Sequence, residues 1–147
     1  MKKIESIITA NFKDIHHKVL TNIRYTSNHI GSYYHHQLEE YDLSMAQFNI
    51  LRILRGAKKK LNIKTVKDRM IEKSPNTTRL IDKLISKKFV KRSKGTKDKR
   101  VVELEITQQG LDVLSQLDVQ FEDNHFKNLT NEEAETLSYL LDKFRNQ

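Results

Sequence analysis

Apolar residues recur at helical spacing over most of this chain, and at strand spacing over one short stretch. From about Phe12 to Glu40 the positions Phe12, Ile15, Val19, Ile23, Ile30, Tyr33 or Tyr34, and Leu38 follow one another at steps of three, four and seven. That pattern predicts one long amphipathic helix. Ile4, Ile7 and Ile8 add a turn in front of it. A helix this long cannot bury its whole apolar stripe against one small domain, so part of it is expected to pack on another chain. Ser44-Met45-Ala46-Gln47 has the form of a capping box. The Ser hydroxyl reaches the third free N–H of the helix and the Gln side chain reaches back. The helix it starts carries Phe48, Leu51, Ile53 and Leu54 and is expected to end near Gly56, with Lys58, Lys59 and Lys60 in a loop. A short helix from roughly Lys64 to Ile71 follows, with Val66, Met70 and Ile71 turned inward.

Ser74-Pro75 then opens another helix, since Ser caps free N–H groups and Pro suits the first helical position. Leu80, Ile81, Leu84 and Ile85 form its apolar stripe, and Asn76, Arg79, Lys83 and Ser86 point away from it. The period changes to two at Val90–Lys94 and Val101–Ile106, where Val102, Leu104 and Ile106 alternate with Val101, Glu103 and Glu105. These are two strands of a half-buried ribbon, with Gly95 in the turn. Thr107 caps a further helix carrying Leu111, Leu114, Leu117 and Phe121. Thr130 and Glu133 form a second capping box, ahead of Leu137, Leu140, Leu141 and Phe144. Two short helices joined by a tight turn, the second basic, followed by a basic hairpin, make a winged helix-turn-helix. The fold class expected is therefore mostly α with a minor β component. It is read as a single domain over 1–147, with the winged helix-turn-helix at 43–106 between helical segments at 1–42 and 107–147.

Charge sharpens this picture. The net charge is +8, but the block from Arg52 to Arg100 holds 19 Lys or Arg against 4 Asp or Glu. It carries +15 and the rest of the chain −7. A basic middle between acidic flanks points to a polyanionic partner. There is no cysteine, which removes disulfides, thiol catalysis and Cys-type zinc sites together. The polar start and the lack of a long apolar run lead us to expect a cytoplasmic protein. No nucleophile–base pair, Gly-rich phosphate loop or set of convergent carboxylates is visible, so an enzyme is not expected.

Three segments carry a family resemblance: LSMAQFNILRIL at 43–54, SPNTTRLIDKLISKKFVKR at 74–92, and DKR followed by VVELEITQQG at 98–110. In this order and spacing the chain resembles the MarR family of bacterial transcription regulators. The family's Leu-Thr-x-x-Gln start has Ser44 in place of Thr, and its Leu-Thr-x-x-Gly junction reads Ile106-Thr107. Both changes keep the physical role. The resemblance implies a homodimer whose dimerisation helices, at 1–42 and 107–147, interlock, with two winged lobes on adjacent major grooves of a palindromic operator. The function expected is a DNA-binding repressor or activator, with repressor the preferred reading.

On double-stranded DNA, affinity is expected to come from phosphate neutralisation and specificity from base edges in the major groove. Asn76, Thr78, Arg79 and Lys83 are the candidates for base contact, and Ser74 with its neighbouring N–H groups for a phosphate seat. Lys58, Lys59 and Lys60 could touch flanking backbone. In the wing, Arg100 is the candidate for the minor groove, whose negative potential is greatest where it narrows. Asp98, two residues earlier, could pair with Arg100 and hold it, the part that the family's Asp-x-Arg plays. Lys94, Lys97 and Lys99 add phosphate contacts.

The resemblance also implies a small aromatic or anionic effector between the long helix and the Gln47 helix. Tyr25, His29, Tyr33, Tyr34 and Phe48 are the candidates for its pocket, with Arg52 or Arg24 for an anionic group. No cofactor is expected. Two alternatives stay open. One is a winged-helix module that docks on an acidic protein. The other is a metal-responsive regulator using His16, His17, His29, His35, His36 or His125, although adjacent residues on a helix point about 100° apart and cannot chelate as a pair.

Overall fold

The structure, a computed structural model, describes residues 2–72, 75–95, 99–122 and 128–146. Among the described residues, seven helices and three strands run in the order α1 (Ile4–Ile8), α2 (Ile15–Glu39), α3 (Met45–Ala57), β1 (Leu61–Asn62), α4 (Ile63–Arg69), α5 (Thr77–Ser86), β2 (Val90–Lys94), β3 (Val102–Ile106), α6 (Gln108–Glu122) and α7 (Asn131–Arg145). The chain divides into two compact units, Met1–Leu117 and Asp118–Gln147. Among the described residues no helix is long and apolar enough to cross a membrane.

In the first unit, α3 is the central element and touches α2, α4, α5 and β3. Its capping box is formed as expected: Ser44 Oγ accepts from the Gln47 N–H at 3.2 Å and Gln47 Oε1 accepts from the Ser44 N–H at 2.9 Å. Phe48, Ile50, Leu51 and Leu54 are buried along it. Around them Leu38, Val66, Ile81, Leu84, Leu104, Leu114 and Leu117 are fully buried. Burying each such side chain contributes about 1.5–3 kcal/mol.

The sheet is antiparallel, in the order β1-β3-β2. Val90 pairs with Ile106 and Lys94 with Val102, so the two expected strands form the ribbon, and β3 begins one residue later than expected. The third strand was not anticipated. Leu61 pairs with Leu104 and Asn62 with Glu103. Two residues are too few to show a period; Lys58, Lys59 and Lys60 form the expected loop, which leads into this edge strand.

Other boundaries shift for local reasons. The turn at Ile4–Ile8 is a separate helix, because Thr9 adopts a left-handed φ of 49° and breaks the run. Lys18 of α2 pairs with Glu5 of α1, and its hydrogen bond holds the Glu5 carboxyl below the usual carboxylate range. The long helix starts at Ile15, where Asp14 accepts from the His17 N–H at 2.8 Å. In α4, Asn62 supplies the cap and the helix stops at Arg69, so Ile71 is 86% exposed instead of turned inward.

The long helix α2 buries only Leu38. In the second unit α7 starts at the expected Thr130–Glu133 capping box and buries no residue. Leu137, Tyr139, Leu140 and Phe144 are 46–64% exposed along it.

Candidate nucleic-acid interface

The recognition-type helix α5 begins later than its sequence announces. Ser74 lies outside the described residues, Pro75 and Asn76 form a turn, and the first helical residue is Thr77. Asn76 occupies the cap position without a side-chain cap bond. The cause is Thr77, which is 1% exposed and sets its hydroxyl against the Met70 sulfur at 3.7 Å. Anchoring Thr77 in the core uses the two preceding residues as connection from α4. The phosphate seat expected at Ser74 lies outside the described residues.

The two faces of α5 separate as the spacing predicts. Ile81 and Leu84 have no exposure, and Leu80 and Ile85 are half-buried. Asn76, Thr78, Arg79 and Lys83 are all exposed. Asp82 shares this outer face and was not singled out from sequence. It binds Arg92 of β2, with Nη2 to Oδ1 at 2.6 Å. The pair fastens the hairpin to the helix, and nothing in the periodicity of either element signals a contact ten residues apart.

The wing continues from the same strand. Gly95 N–H donates to the Val101 carbonyl at 2.8 Å and closes the ladder. Lys94, Lys99 and Arg100 are exposed at its tip, and Lys97 and Asp98 lie outside the described residues, so the Asp98–Arg100 pair does too. Lys91 pairs across the ribbon with Glu105 at 3.1 Å. Lys58, Lys59 and Lys60 are exposed, and the Lys60 ammonium donates to Ser93 Oγ of β2 at 3.3 Å. Exposed cations thus cover the outer helix face, the hairpin and the approach to β1.

A cavity of about 420 Å³ lies between α2, α3 and the end of α4. Of the candidates for an effector pocket, Tyr34, Phe48 and Arg52 line it; Tyr25, His29, Tyr33 and Arg24 are not among its lining residues. The lining positions of α2 are Ser27, Ile30, Gly31 and Tyr34, which share one helix face. At about 100° per residue, 25, 29 and 33 fall on the far flank of the helix. There Tyr25 stacks on His29 with ring centroids 6.4 Å apart. The Arg52 guanidinium lies 5.7 Å from the Phe48 ring centroid, and Tyr34 is 6.3 Å from the same ring. Asn49, also in the lining, has a buried Oδ1 without a hydrogen-bond partner. Among the described residues no three His, Asp or Glu side chains converge as metal ligands would. His35 and His36 both face Glu39, at 3.3 and 4.0 Å, and His125 lies outside the described residues.

Comparison with known proteins places these features in context. Residues 32–117 match the family described as transcriptional regulator SarA/Rot. A 92-residue stretch is 34% identical to the HTH-type transcriptional regulator SarZ of Staphylococcus aureus strain USA300 and covers 63% of this chain and 62% of SarZ. Among solved structures, a MarR-like transcription regulator from Bacillus cereus ATCC 10987 is similar with a TM-score of 0.75 and 25% identity, over 86% of this chain and 93% of that one. A mutant MarR from E. coli, crystallised in complex with operator DNA, is similar with a TM-score of 0.71 and 26% identity, over 99% of both chains.

Proposed function

The chain belongs to the SarA/Rot family of transcriptional regulators, winged-helix proteins of the MarR type, and from that premise we propose that it is a sequence-specific DNA-binding repressor that acts as a homodimer on a palindromic operator. One observation carries the reading. The outer face of α5 presents Asn76, Thr78, Arg79 and Lys83 to solvent, beside a hairpin that presents Lys94, Lys99 and Arg100, while Ile81 and Leu84 hold that helix in the core. A helix of about 10–12 Å diameter fits the major groove of B-DNA, and its outer side chains then meet base edges. Arg79 suits guanine and Asn76 suits adenine, each by a bidentate pair. The wing cations lie along the phosphates, with Arg100 in the neighbouring minor groove. The operator complex of the E. coli neighbour supports this arrangement.

The exposed apolar residues of α2 and α7 supply the dimer surface. A second copy brings a second α5, and two-fold symmetry makes the operator a palindrome. The cavity beside Arg52 accepts a small aromatic anion, with Phe48 and Tyr34 against the ring and the guanidinium on the acid. Occupying it wedges α2 from the α4 end and releases the DNA.

Footprinting of the purified protein on its own genomic fragments, over a series of salt concentrations, tests the proposal. The expected result is a protected palindrome whose binding constant falls steeply with salt, and whose protection is lost on adding aromatic acids. Binding that is indifferent to salt and to sequence would overturn it.

A further inference from the structure

The long helix α2 and the helix α5 end in the same way. In α2, Asp42 takes the left-handed conformation with φ 48°, its N–H donates to the Glu39 carbonyl at 2.9 Å, and the Leu43 N–H donates to Leu38 at 3.0 Å. In α5, Lys88 takes φ 62°, its N–H donates to Ile85 at 2.9 Å, and the Phe89 N–H donates to Leu84 at 3.0 Å. Both are Schellman caps without glycine. In each, the apolar pair that accompanies the motif is buried: Leu43 with Leu38, and Phe89 with Leu84. These helix ends are therefore rigid points in the core and not frayed termini.

One side chain joins them. Lys87, the residue before the left-handed Lys88, sends its ammonium to Asp42 Oδ2 at 2.5 Å, to the Tyr41 carbonyl at 3.4 Å and to the Asp42 carbonyl. The carbonyls at the end of α2 lack helical partners and carry the negative end of its dipole, so a cation there is favoured. The side chain is 20% exposed, whereas its Asp42 partner is 95% exposed. Lys87 is thus withdrawn from the cationic surface that its neighbours Lys83 and Lys88 present.

We propose that Lys87 is a positioning residue that locks the recognition helix to the end of α2 and thereby sets the half-site spacing the dimer accepts. The inference rests on the DNA-binding dimer proposed above. If α2 is part of the stalk, the α2–α5 angle fixes the distance between the two recognition helices. Three bonds from one ammonium to a rigid turn hold that angle; without them α5 keeps its packing on α3 and β2, the Thr77 anchor and the Asp82–Arg92 pair, none of which ties it to the end of α2.

The test selects duplexes from a random pool with the full chain, then measures affinity for the selected site and for versions lengthened or shortened by one base pair between half-sites. Wild type is expected to discriminate against altered spacing by about tenfold or more. Lys87→Met keeps the stem and removes the ammonium; it should select the same half-site sequence yet discriminate by less than about threefold. Lys87→Arg should restore the preference. Loss of affinity at all spacings alike, with discrimination kept, would mean a merely structural role and overturns the proposal. Should Lys87→Met not fold, the exposed Asp42→Asn decides: partial relaxation supports the lock, and unchanged discrimination removes it. A wild type that selects no duplex overturns the DNA-binding reading itself, and the spacing role with it. A selected site with spacing insensitive to Lys87 overturns only the latter.

Discussion

Gly110 shows how little room a single position can have. A Cβ there would lie 2.4 Å from the Phe89 carbonyl oxygen and 2.9 Å from Ile106 Cγ1. The oxygen cannot withdraw, because it accepts from the Thr107 N–H at 3.0 Å, and Thr107 in turn accepts from the Gly110 N–H at 3.1 Å. The start of α6 is pressed onto the start of β2 through these bonds. Gly110→Ala is expected to destabilise by about 1–3 kcal/mol through overpacking, read as a lower urea midpoint, despite the better helix propensity of Ala. An unchanged midpoint would mean that the junction yields. At the same scale, Arg79→Ala should relax base preference at one position per half-site while other positions keep theirs, at a cost of about 1–3 kcal/mol on the preferred sequence. Equal weakening on all sequences would move Arg79 to a phosphate.

Among the elements, α5 and the hairpin act as one piece. The Asp82–Arg92 pair at 2.6 Å joins the outer face of the helix to β2. Both partners are about half exposed, so the pair contributes orientation more than stability. Arg100 stands at the far end of this piece. Arg100→Ala should weaken operator binding by more than about 1 kcal/mol and leave thermal unfolding unchanged, since the residue is exposed. Wild-type affinity in a gel-shift titration would remove the wing from the interface. The element scale also shows where a periodic reading fails. Ile71 follows Val66 and Met70 at helical steps, yet its helix has already ended, and the residue is 86% exposed at the rim of the cavity.

For the molecule as a whole, the exposed apolar residues set the expectation. Leu137, Leu140 and Phe144 are 46%, 51% and 52% exposed on α7, and Ile15, Val19 and Leu20 are 41–63% exposed on α2. Each is already about half covered, so covering the rest recovers roughly half of the 1.5–3 kcal/mol of a full burial, and several together can hold two chains. Leu140→Asp with Phe144→Asp is expected to convert a dimer to monomers in sedimentation velocity, with the circular dichroism of the first unit retained. A wild type that sediments as a monomer at micromolar concentration would remove the palindrome with the dimer.

What the sequence determined by itself was whatever is written in local spacing. The capping boxes at Ser44 and Thr130 and the two faces of α5 follow from neighbours within four residues, where backbone geometry dictates who meets whom, and the strand at Val90–Lys94 shows in its own apolar pattern. Tertiary structure decided what depends on distant partners. It paired Leu61 with Leu104, moved the start of α5 to Thr77 by burying that hydroxyl against Met70, and chose which face of α2 lines the cavity. It also turned Lys87 inward, to a turn 45 residues away, out of a block that charge alone assigns to a polyanion. A charge count has no direction, and only packing supplies one.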